Sequence, residues 1–115
     1  MSYMSNGVEK LYFIDEKLDD LLSYKDSFIT IKDMLDNKMA FDATLMCLLQ
    51  IGETLHKLRE SQFKDKLPIK GTYDVRNFIA HDYEGINKAI IEDIIREHIP
   101  KLKITIIEIF SCVDC

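Results

Sequence analysis

Between Lys38 and Glu60 apolar residues return every third or fourth position, at Phe41, Leu45, Leu48, Leu49, Gly52 and Leu55. That period keeps them on one broad stripe of an α-helix, and a stripe of such length has to be covered by neighbouring elements. Gly52 stands inside it, where glycine weakens a helix by about 1 kcal/mol relative to alanine. The reason expected for keeping it is close approach of a neighbour, which makes Gly52 a packing residue.

The rest of the chain supplies such neighbours. Asn6 followed by Glu9 has the form of a capping box, and Val8, Leu11, Ile14, Leu18, Leu21 and Leu22 then recur at helical spacing, predicting a first helix over residues 7–24. The stretch KDSFITIKDMLDN mixes β-branched and polar residues; it reads as a connection with room for a short helical turn, ending in two good N-caps, Asp36 and Asn37. After the helix over 38–60 the pattern fails, and Pro68 and Gly71 mark a loop over 61–71. A third helix is expected over 72–81, stopping near Gly85. Asn87 can cap a fourth with Ile90, Ile91, Ile94 and Ile95, and Pro100 suits the first turn of a fifth segment through Phe110. KITIIEIF has strand-like composition, yet it continues the preceding helical period and has no partner strand, so helix is expected there too. The sum is an all-α, antiparallel bundle of four to five helices.

With 115 residues the chain suits a single domain spanning 1–115. No apolar run reaches membrane-spanning length, and Met1 to Gly7 lacks the build of a signal peptide, so the expected location is the cytoplasm. Three cysteines, Cys47, Cys112 and Cys115, fit a reducing compartment better than a disulfide framework. The terminal CVDC is one Cys-x-x-Cys without a second pair; a closed zinc site would need His98 or another protomer, and reduced exposed thiols are the expectation.

A net charge of −5 argues against broad coating of nucleic acid. The distribution is uneven, however. From Lys57 to Arg76 six basic residues face three acidic ones, between two acidic flanks, and this positive stretch leads into RNFIAHDYEG, residues 76–85. There Arg76, His81 and Tyr83 interrupt an otherwise apolar run. On an ideal helix Arg76 and His81 lie about 140° apart, whereas Asn77 and His81, four apart, share a face. Arginine length would have to close that gap, and an extended exit after His81 would let Tyr83 reach the same side. Arginine with histidine suits phosphoryl transfer: guanidinium grips phosphate oxygens, and imidazole moves a proton near neutral pH. RNA carries its own nucleophile, the 2′-hydroxyl, so no metal or cofactor is expected. Taken singly, an Arg and a His on one helix more often cap, pair or pack, which is the reading given to His56 and His98.

RNFIAHDYEGIN, residues 76–87, resembles the motif of HepT-like HEPN proteins: arginine, four to six residues, histidine, any residue, tyrosine. LLQIGETLHKL, residues 48–58, resembles the second-helix segment of that family, and the tail around Pro100 resembles its closing helix. The family often carries a tryptophan shortly before the arginine; this chain has none, and Tyr73 is expected to fill that space. The resemblance implies a HEPN-like bundle and a metal-independent endoribonuclease toxin of a toxin–antitoxin pair. Its RNA substrate would be cut in the cleft of a homodimer, and its antitoxin would be an MntA-like nucleotidyltransferase. By the same resemblance Arg76 would steady charge on the scissile phosphate, His81 would act as general acid or base, Asn77 would orient phosphate or imidazole, and Tyr83 would accept AMP. The phosphodiester added there is expected to lie beside Arg76. Two other readings stand: a non-catalytic subunit presenting substrate to a nucleotidyltransferase, and a purely structural bundle.

Overall fold

The computed structural model describes the backbone of residues 2–113 and the side chains of residues 7–112. Cys115, and with it the second thiol of the terminal pair, lies outside the described residues. The elements are α1 (Ser2–Asp26), α2 (Ile31–Asp36), α3 (Lys38–His56), α4 (Ile69–His81), α5 (Lys88–Asp93) and α6 (Ile99–Val113). A 3₁₀ turn at Lys64–Lys66 and a π-helical turn at Ile94–His98 complete them. No strand occurs among the described residues, so KITIIEIF is helical.

The core follows from spacings of three and four. Leu11, Ile14, Leu18 and Leu21 on α1, Leu45, Leu48, Ile51 and Leu55 on α3, and Leu102, Ile106 and Ile109 on α6 are all buried, each set lining one side of its helix. α3 is the hub, with α1 and α4 packed along it and α2 against its start. Glu53 meets Arg76 and Asp42 meets Tyr83, so α4 runs down α3 as α3 runs up. Tyr12 stacks on Phe110 and Lys103 reaches Asp15 and Asp19, which sets α1 and α6 antiparallel in the same way. The result is the antiparallel all-α bundle expected. Among the described residues no helix is long and apolar enough to cross a membrane. Cys47 is buried and Cys112 exposed, both free thiols.

Several boundaries differ from expectation, each for a local reason. α1 begins at Ser2, so Asn6 lies inside it and not at a cap. The connection after α1 does hold a helical turn, α2, started by Thr30, whose Oγ1 accepts from the Asp33 N–H at 3.0 Å. Asn37 is the cap of α3, its Oδ1 accepting from Ala40 N–H at 3.0 Å. α3 stops at His56, short of Glu60, and decays through bonds such as Leu58 N–H to Leu55 O. There Ser61 diverts the backbone, donating its hydroxyl to Leu58 O and accepting from Phe63 N–H. α4 starts at Ile69, earlier than expected, because Pro68 O accepts from both the Thr72 N–H and the Thr72 hydroxyl. Gly71 is therefore helical, not part of a loop. Asn87 caps α5 as expected, accepting from Ala89 N–H at 2.9 Å.

Pro100 does not open a separate segment. It sits one residue into α6, directly after the π turn, where the Ile99 N–H reaches back to Ile94 O. A proline ring crowds the carbonyl four residues earlier and has no N–H to give it. Widening the helix by one residue takes up that conflict, so α5, the π turn and α6 form one unbroken helical run.

The reading of Gly52 is met directly. A Cβ placed there would stand 2.6 Å from the Thr72 carbonyl oxygen and 2.7 Å from the Arg76 Cβ, inside van der Waals contact. At Gly71 an added Cβ meets nothing within 4 Å. The two glycines should therefore respond in opposite senses. Gly52→Ala is expected to lower stability by about 1–3 kcal/mol through overpacking, and Gly71→Ala to raise it by about 0.5–1 kcal/mol through helix propensity; thermal or urea unfolding of the two variants reads both signs.

Candidate functional site

The site grows from the Gly52 crossing. Because α4 lies so close to α3 there, the stem of Arg76 is pressed against α3 and its guanidinium emerges beside the next residue, Glu53. Arg76 Nε donates to Glu53 Oε1 at 3.3 Å, and Nη1 donates to Asn77 Oδ1 at 3.0 Å. The Tyr73 ring, one turn earlier on α4, has its centroid 5.7 Å from the Arg76 guanidinium carbon. Tyr73 is held in turn by His56, whose ring stacks on it at 3.8 Å with an interplanar angle of 12°. Arg76 is thus supported by a carboxylate, an amide and an aromatic face, and its side chain is still 31% exposed. Nη2 has no partner among the described residues, which leaves a charged donor pair for an incoming anion.

His81 is the last residue of α4 and is exposed. Its imidazole has no hydrogen bond or ring contact among the described residues. The helix stops because Asp82 leaves helical geometry at φ −143°, ψ 52°, and a turn closes with Gly85 N–H on Asp82 O at 3.1 Å. The exit is thus a tight turn closed by Gly85, not the extended segment expected after His81. Tyr83 leaves through this turn and returns to α3, where its hydroxyl donates to Asp42 Oδ1 at 3.1 Å. Tyr83 remains 38% exposed as a residue. Burial first, and then the bond to Asp42, push its phenol above the ordinary value of 10.0.

The structure therefore joins Arg76 to Asn77, leaves His81 free at the helix end, and anchors Tyr83 elsewhere. The carboxylates that hold Arg76 and Tyr83 are about three turns apart on α3, roughly 16 Å along its axis. An AMP group on Tyr83 does not start beside Arg76, contrary to the expectation from sequence; it would have to reach along α3 or across to a second chain. Four residues of the site were not picked out from sequence as functional: Asp42, Glu53, Tyr73 and His56. His56 was read as structural, and it is, but through the ring that supports Arg76. Among the described residues no three His, Cys, Asp or Glu side chains are grouped to hold a metal.

Two concavities flank this face. A shallow one of about 380 Å³ between α1 and α3 is lined by Glu9, Lys10, Phe13, Gln50, Glu53, Thr54 and Lys57, so it carries two carboxylates beside two lysines and borders the Arg76 partner directly. A second of about 580 Å³, among Leu48, Ile51, Val75, Ile94 and Leu102, is mainly apolar and contains none of the motif residues.

A family model described as "Ribonuclease HepT-like" matches residues 14–109. This chain belongs to that family. Two relatives from Methanocaldococcus jannaschii bear RNase names. One, named "Putative RNase MJ1380", is 30% identical over 96 residues, covering 81% of this chain and 86% of its own. The other, named "Putative RNase MJ0127", is 32% identical over 92 residues, covering 78% and 75%. No solved structure matches the chain. The HepT-like match takes in the whole of α2 to α5, and with them every residue of the site just described.

The anchoring of Tyr83 has a spectroscopic consequence. The fold favours the neutral phenol, so its contribution to stability is present below about pH 10 and fades as pH rises through the higher folded value. In the difference between wild-type and Tyr83→Phe absorbance near 295 nm, Tyr83 should ionise above pH 10, and Asp42→Asn should bring that titration down.

Proposed function

We propose that this HepT-like chain is a single-domain, cytoplasmic, metal-independent endoribonuclease acting as a homodimer. In this reading it is the toxin of a pair whose antitoxin is an MntA-like nucleotidyltransferase that adds AMP to Tyr83. The observation carrying it is the placement of Arg76: its stem fixed by the Gly52 crossing, its head held by Glu53 and Asn77 with Nη2 open, on the helix that ends in an unpartnered, exposed His81. Family membership and the RNase names of the relatives support the same substrate class.

The chemistry assigns each group one task. The RNA 2′-hydroxyl attacks the adjacent phosphorus, the new 2′-oxygen to phosphorus bond forms, and the bond to the 5′-oxygen breaks. One proton has to leave the attacking hydroxyl and one has to reach the departing oxygen. A single His81 cannot stand on both sides of the phosphate, so two copies contribute one imidazole each, which is the reason to expect a two-fold dimer. Proton transfer by imidazole contributes roughly 10²- to 10⁴-fold. Arg76 stabilises the charge gathering on the phosphate oxygens, and Asn77 holds the guanidinium plane while it does so. Lys57 and Lys10, lining the groove beside Glu53, offer cations for the flanking backbone phosphates.

Glu53 gives this site a resting state. Its carboxylate occupies Arg76 and must yield when phosphate arrives, so Glu53→Gln is expected to tighten RNA binding several-fold. Purified protein should cut single-stranded RNA in EDTA and leave DNA intact. Arg76→Ala or His81→Ala should lower the rate by about 10²-fold or more with the helical circular dichroism signal kept, whereas His98→Ala should leave it unchanged. Light scattering should give a dimer at micromolar concentration. Full cutting by His81→Ala would remove the catalytic assignment, and RNA left intact by a chain that still binds a nucleotidyltransferase would favour the substrate-presenting subunit.

A further inference from the structure

We infer that Asp42 is the proton acceptor and positioning group for nucleotidyl transfer to Tyr83, an assignment that rests on the proposed AMP modification and adds a catalytic residue to it. The other described tyrosines are engaged differently: Tyr12 stacks on Phe110, Tyr73 stacks on His56, and the Tyr24 hydroxyl meets the Cys47 thiol. Tyr83 is the tyrosine whose hydroxyl donates to a carboxylate among the described residues, at 3.1 Å on Asp42 Oδ1. That bond fixes both the direction of the oxygen and the destination of its proton. The carboxylate is itself oriented, since Lys38 Nζ donates to Asp42 Oδ2 at 3.4 Å from one turn earlier on α3.

The step balances with the groups named. The Tyr83 oxygen attacks the α-phosphorus of a nucleoside triphosphate delivered by the partner enzyme. The oxygen–phosphorus bond forms, the bond to the β-phosphate bridge breaks, pyrophosphate leaves, and the phenolic proton passes to Asp42. A neutral phenol is a poor nucleophile, and Asp42 with burial makes it harder still to ionise in the resting chain; a base already hydrogen-bonded to it removes the proton only as the new bond forms. A lone carboxylate would repel an incoming triphosphate. Lys38 offsets this, because its side chain is 87% exposed and can turn from Asp42 to the phosphates.

The product is poised to move. Once the phenolic oxygen carries phosphorus it has no proton to donate, and an anionic phosphodiester then adjoins the Asp42 carboxylate. Loss of the bond and like-charge repulsion both drive Tyr83 off α3. The same residue thus helps the modification form and then expels it from its resting place, toward the cleft where RNA phosphate binds. This also removes the difficulty that Tyr83 is anchored three turns from the Arg76 partner.

The experiment uses the 115-residue chain, an MntA-like nucleotidyltransferase and ATP, with AMP addition followed by intact mass and the site located by peptide mapping. Wild-type chain should gain AMP at Tyr83, and Tyr83→Phe should not. Asp42→Asn, which can still accept the hydroxyl hydrogen bond but is far weaker as a base, should be modified about 10²-fold or more slowly, with Asp42→Glu restoring part of the rate. Circular dichroism and the melting temperature check that each variant is folded. Modification of folded Asp42→Asn at the wild-type rate overturns the assignment while leaving Tyr83 as the acceptor. A wild-type chain that takes up no AMP overturns the modification itself, and the role of Asp42 with it.

Discussion

The close crossing of α3 and α4 at Gly52 is the contact on which the site depends. With no side chain at that position, the Thr72 carbonyl and the Arg76 Cβ approach the α3 backbone to distances that any larger residue would forbid. Everything on the motif face follows from that spacing. Glu53 comes within reach of Arg76, Tyr73 meets His56, and the end of α4 is brought level with Asp42. The cost to helix propensity is about 1 kcal/mol, small beside the packing and hydrogen bonding that the approach permits.

On that frame the polar groups divide into two stations along α3. At one, Glu53 and Asn77 hold Arg76 while leaving part of its fork open; at the other, Asp42 holds Tyr83. The Arg76 guanidinium and the Tyr83 phenol are each restrained by a carboxylate from the hub helix. An exposed ion pair such as Arg76–Glu53 contributes little to stability. The consequence is for occupancy: Glu53 offsets part of the arginine charge, and Asp42 fixes the direction of the tyrosine hydroxyl. His81 lies at the end of α4, exposed and without a hydrogen bond or ring contact among the described residues.

The remainder of the bundle keeps α3 in place. α1 contributes a wholly buried row, and the run from α5 to α6 is kept continuous by the π turn before Pro100. Lys103 ties α6 to Asp15 and Asp19 on α1, the Lys103–Asp15 pair being largely shielded from water and Asp19 exposed. These features touch no motif residue. The α4 exit turn, by contrast, is short and solvent-facing.

Much of this was legible in the sequence. Periodicities of three and four placed the long helices, because burial of a stripe is a property of the helix itself. Asn37 and Asn87 marked helix starts, because a cap is satisfied by residues two or three positions away. Gly52 announced a close approach, and the Arg76 to Tyr83 spacing announced the family to which the comparisons assign the chain. The misplaced boundaries had local causes that composition hides: Ser61 bonding to its own backbone, Pro68 accepting at the start of α4, and a π turn absorbing Pro100. What sequence could not reveal was which helix the motif would face. Asp42 and Glu53 fall nearly in line on α3, about 20° apart in helical phase, yet nothing in their spacing says that α4 covers that line. Pairings between residues distant in the chain are decided by how helices cross, and only the tertiary fold brought Glu53 to Arg76 and Asp42 to Tyr83.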